Sequence, residues 1–393
     1  MTLFFTDPTF AFEFMRILGE SSYGGADVKE CLAAASAIAD GDIESWHLAW
    51  IALADRLHQD ADACLARGHR VSARDAYLRA SNYYRTAEFF LRIPIGQDDP
   101  RAMRTYEQSV TCFHQAMPLL PYPCETVEIP YENTTLPGYF YRVDGSARPR
   151  PTLLVHGGYD STSEEQYFEV VLAALERGYN CLAFEGPGQG GVIRHQNLPF
   201  RPDWERVITP AVDYALSRPE VDPQQLALQG RSFGGYLAPR ASAFERRLAA
   251  CIAVDGMFEF APEESKSPEL AALSDEQINQ GFEQMMAGNF RLRWAYSQGV
   301  FSMHACSPAD FMRKMQLYTM EGIAAQVTCP TLVCDAEGDL DFGSQPRRLF
   351  DALTCPKTYL LFTAVEGAEE HCHEGAFRLA NQRIFDWLDE TLA

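Results

Sequence analysis

From residue 151 onwards the chain alternates short apolar runs with amphipathic stretches, and this pattern narrows its fold most. The runs lie at 151–158 (PTLLVHGG), 180–184, 225–228, 249–254, 331–334 and 358–362. Each is short for a helix and nearly all apolar, as expected of a strand covered on both faces. Helical stretches fall between and after them, at 164–177, 204–216 and 375–392. Strands alternating with helices predict an α/β fold, a mainly parallel sheet flanked by helices. Just upstream, 125–130 and 138–143 alternate like the arms of an antiparallel hairpin.

The first part of the chain has a different texture. Residues 42–65 place Ile43, Trp46, Trp50, Leu53 and Leu57 near the helical period. A second helix is expected over 71–90, ended by Pro94, and a third over 103–117. We therefore expect a helical domain over 1–120 and a catalytic domain over 121–393. Residues 257–329 interrupt the sheet pattern with a long aromatic insertion. It is too apolar for a plain loop and is expected to form a helical lid over the carboxyl ends of the strands.

Charge and cysteine usage exclude other classes. The 393 residues carry 33 Lys and Arg against 54 Asp and Glu, a net charge of -21. Such a chain repels nucleic acid and anionic membranes, so neither is expected as a partner. No apolar stretch reaches the length of a membrane span. The apolar start lacks a basic region ahead of it, and the 11 cysteines show neither CxxC pairs nor zinc-site spacing. These features predict a reduced, cytoplasmic protein without a zinc site.

The segment Gly230-Arg231-Ser232-Phe233-Gly234-Gly235 follows one of the apolar runs directly. A G-x-S-x-G sequence between strand and helix forms a sharp turn that lifts the serine hydroxyl above the sheet. Its acid is expected after the 331–334 strand, where Asp335, Asp339 and Asp341 compete. Asp339 is the first choice and Asp341 the fallback, because Asp335 sits at the strand end itself. The base is expected after the last strand, as His371, with His373 the alternative. Ser232 then loses its proton to His371, and Asp339 fixes the imidazole tautomer. The oxyanion donors are expected to be the N–H of Phe233 and that of Gly158 or Tyr159. His156 is read as structural.

These motifs resemble the α/β-hydrolase superfamily. The helical amino-terminal part, VHGG, FEGPGQG, GRSFGG, DAEGD and GAEEHCH together resemble one subfamily more narrowly. It holds the 2,6-dihydroxypseudooxynicotine hydrolase-like enzymes and the fungal polyketide-shortening hydrolases of pigment pathways. The resemblance implies an α/β-hydrolase fold and cleavage of a carbon–carbon bond next to a ketone in a small aromatic or polyketide molecule. It also implies no cofactor, a homodimer, and a helical domain that helps enclose the site. Some relatives add a carboxylate after the strand following the elbow; Asp255, Glu259 and Glu263 all lie near that place. Tyr83, Tyr84, Arg85 and Glu263 are candidate substrate-binding residues. An esterase, thioesterase, acyltransferase or cyclase would use the same triad, whereas a non-enzymatic interaction protein would have no need of it.

Overall fold

The computed structural model describes residues 4–93, 95, 99–340 and 342–393. Pro94 and Asp341 lie outside these residues. Five helices lead the chain: α1 (Pro8–Gly19), α2 (Val28–Ala35), α3 (Ile43–Ala66), α4 (Arg70–Glu88) and α5 (Pro100–Ala116). The strands are β1 (Cys124–Tyr131), β2 (Thr134–Tyr141), β3 (Arg150–His156), β4 (Asn180–Phe184), β5 (Val221–Arg231), β6 (Ala250–Val254), β7 (Thr331–Ala336) and β8 (Lys357–Phe362). They form one sheet in the order β1-β2-β4-β3-β5-β6-β7-β8. The β1–β2 and β2–β4 pairs are antiparallel; all others are parallel. The fold is thus that of an α/β hydrolase, with a helical amino-terminal region.

The hairpin differs from its sequence reading. β1 and β2 run up to the short turn at Glu132 and Asn133, and Pro137 is paired inside β2. Glu132 takes a φ of 44°, which lets the chain reverse over a short loop. Two further helices, α1 and α2, went unread in the sequence. Asp7 caps α1 by accepting from the N–H groups of Thr9 and Phe10, and Asp27 caps α2 in the same way at Lys29.

Alternate residues of the strands feed two cores, one on each face. Leu153 and Val155 of β3 face one way and Leu154 the other; in β6, Ile252 and Val254 oppose Cys251 and Ala253. The first face packs against α1 to α5 and the carboxyl-terminal helix Phe377–Leu392. The second packs against the insertion, whose main helices are Asp275–Ala287, Phe290–Met303 and Pro308–Met315. Helical region and sheet therefore share a continuous core.

An aromatic knot holds α1 to that region. Trp46 is fully buried, packs on Phe5, Phe10, Trp50 and Phe90, and donates its indole N–H to Thr86 O at 2.8 Å. Trp46→Ala should cost about 3–5 kcal/mol in denaturant unfolding, the range for a large buried aromatic. A loss under 1 kcal/mol would show that this knot does not hold α1 in place.

Candidate active site

β5 runs through the middle of the sheet and ends in the turn that carries Ser232. The serine has a φ of 59°, a strained angle for a side chain with a Cβ. The turn is tight because Gly230 packs on the Gly234 backbone, where any side chain would collide with the carbonyl. Gly158 permits the second close approach: a Cβ there would lie 2.7 Å from both Arg231 O and Phe233 N.

Three side chains converge in a line. His371 Nε2 is 2.8 Å from Ser232 Oγ, and its Nδ1 is 2.7 Å from Asp339 Oδ2. Asp339 follows β7 and also accepts from Phe342 N at 3.1 Å. The Phe342 ring meets the imidazole edge-on, with centroids 4.8 Å apart. Asp335 instead stays in β7, hydrogen-bonded to the Tyr359 hydroxyl. Asp341, the fallback acid, lies outside the described residues. His373 is fully buried against the Phe362 ring, and burial lowers its pKa to about 4. His156 is similarly buried, with its pKa lowered to about 4, which leaves it neutral.

A second carboxylate reaches the same imidazole. Asp255, directly after β6, is fully buried and brings Oδ2 within 3.1 Å of His371 Nδ1. The same oxygen accepts the Cys372 N–H. Among the three acids near that place, the structure therefore selects Asp255. Glu259 is buried but paired with Lys266 and Arg348. Glu263 points to solvent, with its side chain 71% exposed, and contacts Arg348 at 3.4 Å; it does not line the cavity and is corrected as a substrate-binding candidate.

The loop after β3 is where the sequence places one of the two oxyanion donors. The Gly158 N–H donates to Ser161 Oγ at 3.1 Å and is already engaged. Gln189, from FEGPGQG, donates to Gly157 O at 2.7 Å and to Gly158 O at 3.2 Å. In a trans peptide the N–H points opposite its carbonyl. Anchoring Gly158 O to Gln189 thus turns the Tyr159 N–H the other way. Phe233 N and Tyr159 N are the donor pair this geometry favours. The insertion braces the loop in turn: Gln298 Nε2 donates to Tyr159 O at 2.7 Å, and the Tyr159 hydroxyl donates to Ala295 O at 3.0 Å.

Ser232 opens onto a cavity of about 560 Å³. One wall is apolar, with Phe260, Phe282, Trp294 and Phe311 from the insertion and Phe12 from α1. The other is charged and includes Glu13, Arg16, Asp160, Glu169 and Glu374. A volume of this size suits a small molecule. Tyr83, Tyr84 and Arg85 are corrected as substrate-binding candidates, since none lines the cavity. Tyr83 and Tyr84 are core residues whose hydroxyls bond to Glu30 and Asp55. Arg85 stands behind the charged wall, 3.2 Å from Glu165. Glu20, Glu165 and Glu169 place carboxylate oxygens within 4.8 Å of one another, as metal ligands do. Arg16 and Arg85 hold Glu165 and Arg231 holds Glu169, so guanidiniums already occupy two of these three carboxyl groups. No described helix is long and apolar enough to cross a membrane.

Fold and site together define an α/β hydrolase. The alpha/beta hydrolase family model matches residues 152–381, and the chain belongs to that family. A model described as esterase FrsA-like matches residues 40–261. Hydrolase acrC of Aspergillus aculeatus is 37% identical over 99% of this chain and 98% of its own. The 20-hydroxy-prefusarin hydrolase FUS2 of Gibberella moniliformis is 36% identical, covering 99% of this chain and 98% of its own. Among solved structures, 2,6-dihydroxy-pseudo-oxynicotine hydrolase superposes with a TM-score of 0.77 at 22% identity, covering 95% of each chain.

The electrostatics of His371 set a pH dependence. Burial favours the neutral imidazole, but the Asp339 carboxylate and the Asp255 hydrogen bond oppose it. The Cys372 thiol is pushed up to about 11 by burial and is neutral at ordinary pH, so the carboxylates carry the effect. They win, and the His371 pKa stands well above 6.5. Only the neutral form can take a proton, so activity should fall as pH drops through that raised value. The acid limb of kcat/KM is expected above pH 6.5, and Asp255→Asn should move it to lower pH. An unmoved limb would show that Asp255 does not act on His371.

Proposed function

We propose that this protein is a serine-dependent hydrolase that cleaves the carbon–carbon bond next to a ketone in a β-dicarbonyl or polyketide-like small molecule, through an acyl-enzyme. The observation that carries the reading is the hydrogen-bonded line Ser232–His371–Asp339 opening on a cavity lined by aromatic and charged side chains. In this reading Ser232 Oγ passes its proton to His371 Nε2 and attacks the ketone carbon. The oxygen becomes an anion held by the N–H groups of Phe233 and Tyr159. The carbon–carbon bond then breaks, its electron pair leaves with the departing carbon, and His371 returns a proton to that carbon. Water next attacks the acyl group, again with His371 as base, and Ser232 is released.

A departing carbon is a poorer leaving group than an alkoxide, so a second carbonyl must share its charge. The enclosed aromatic wall suits a planar conjugated dicarbonyl, and the charged wall suits its polar end. The name of the Gibberella relative, which acts on a prefusarin, supports a substrate of similar type. The esterase FrsA-like match favours a second reading, ester hydrolysis by the same residues.

Product masses from 1,3-diketones and matched esters separate the two. The leading reading expects a carboxylic acid and a ketone from the diketone. It also expects Ser232→Ala to lose on the order of 10³–10⁶ in kcat. Rapid ester turnover with intact diketone would favour the esterase. Undiminished diketone cleavage by Ser232→Ala would overturn the serine mechanism.

A further inference from the structure

The charged wall contains more acid than its cations can neutralise. Six carboxyl groups meet there, from Glu13, Glu20, Asp160, Glu165, Glu169 and Glu374, and their guanidinium partners among the described residues are Arg16, Arg85 and Arg231. All of these residues but Asp160 are less than a tenth exposed. Buried like charges at such density cannot all be ionised, so some acids hold their protons.

Geometry sorts the acids by how closely their cations hold them. Glu165 makes tight bonds to Arg16, at 2.8 Å from Nε and 2.7 Å from Nη2. Asp160 accepts from Arg16 Nη1 at 3.2 Å. Glu13 is different. Its nearest cations, Arg16 Nη1 and Arg85 Nη1, both stand off at 3.7 Å, beyond hydrogen-bond reach. Glu13 is 5% exposed, makes no hydrogen bond through its carboxyl group among the described residues, and lines the cavity. A buried carboxyl group that is ion-paired but makes no hydrogen bond, beside an open cavity, has room for one that a ligand can supply.

We propose that Glu13 is a specificity-determining residue, whose protonated carboxyl donates a hydrogen bond to an uncharged carbonyl, ketone or amide, on the substrate. This rests on the proposed function only for the identity of the site. Asp160, beside Glu13 and ionised, disfavours a substrate carboxylate at the same place. The groups facing Glu13 are Arg16 on its own helix, Arg85 on α4, and Asp160 and Glu165 beyond β3. Burial raises the Glu13 pKa to about 8, with the two arginines opposing and the two acids adding to the rise. Its donor proton is therefore present below that pH and lost above it.

Binding to Ser232→Ala by calorimetry tests this without any turnover. The probes are 3-benzoylpropionamide, uncharged throughout, and 3-benzoylpropionate, the carboxylate of the same carbon skeleton. The amide should bind more tightly than the anion, and its Kd should rise above about pH 8. Adding Glu13→Gln, which keeps an N–H donor, should flatten that rise. Adding Glu13→Ala should weaken amide binding about tenfold below about pH 8, as loss of one hydrogen bond does, and by less above it, where the donor proton is already gone. Circular dichroism and a thermal melt check that each variant is folded. Unchanged binding in Glu13→Ala would overturn the proposal, as would an alkaline rise that persists in Glu13→Gln, preference for the anion, or no amide binding at all. Failure of the serine mechanism would appear separately, in the product masses from the wild type.

Discussion

The backbone angle at Ser232 is the constraint from which the site grows. A φ of 59° on a residue with a side chain is tolerated only where its surroundings enforce it. Here β5 enters from the middle of the sheet, the helix Gly234–Ser242 leaves at once, and glycines make room for both. Ser232 N donates to Val254 O at 3.1 Å, which ties the turn to β6. The hydroxyl is thus fixed above the sheet edge. His371 and Asp339 need only come from the loops after β8 and β7 to meet it.

What surrounds that line is support at a distance. FEGPGQG anchors the loop after β3 through Gln189, while Glu185 of the same motif accepts the N–H groups of Ser163 and Gly191. The insertion holds Tyr159 from the far side. The amino-terminal helices contribute through α1, whose Arg16 grips Glu165 beyond β3 and whose Phe12 and Glu13 face the cavity. Three regions distant in sequence close one pocket around one serine.

The sequence made part of this legible for physical reasons. The elbow was visible because its glycines are spaced by steric need, and Asp339 and His371 because the strand order sets where acid and base must fall. Asp255 was not separable from Glu259 and Glu263, since only its positive φ of 53° turns it under the imidazole. Gly158 and Tyr159 could not be told apart until Ser161 and Gln189 were placed. Tyr83 and Tyr84 read as pocket aromatics because a buried tyrosine and a ligand-facing one look alike in sequence. α1 went unread although it is amphipathic, and its Glu13 and Arg16 would read as a solvent-facing pair whereas both are buried.

The central claim is that Ser232 is an activated nucleophile facing the cavity. Intact-protein mass after treatment with a fluorophosphonate, with peptide mapping of the adduct, tests it directly. The account predicts one adduct per chain, on Ser232, formed much more slowly in His371→Ala. An adduct on another residue, or equal labelling in folded His371→Ala, would contradict it.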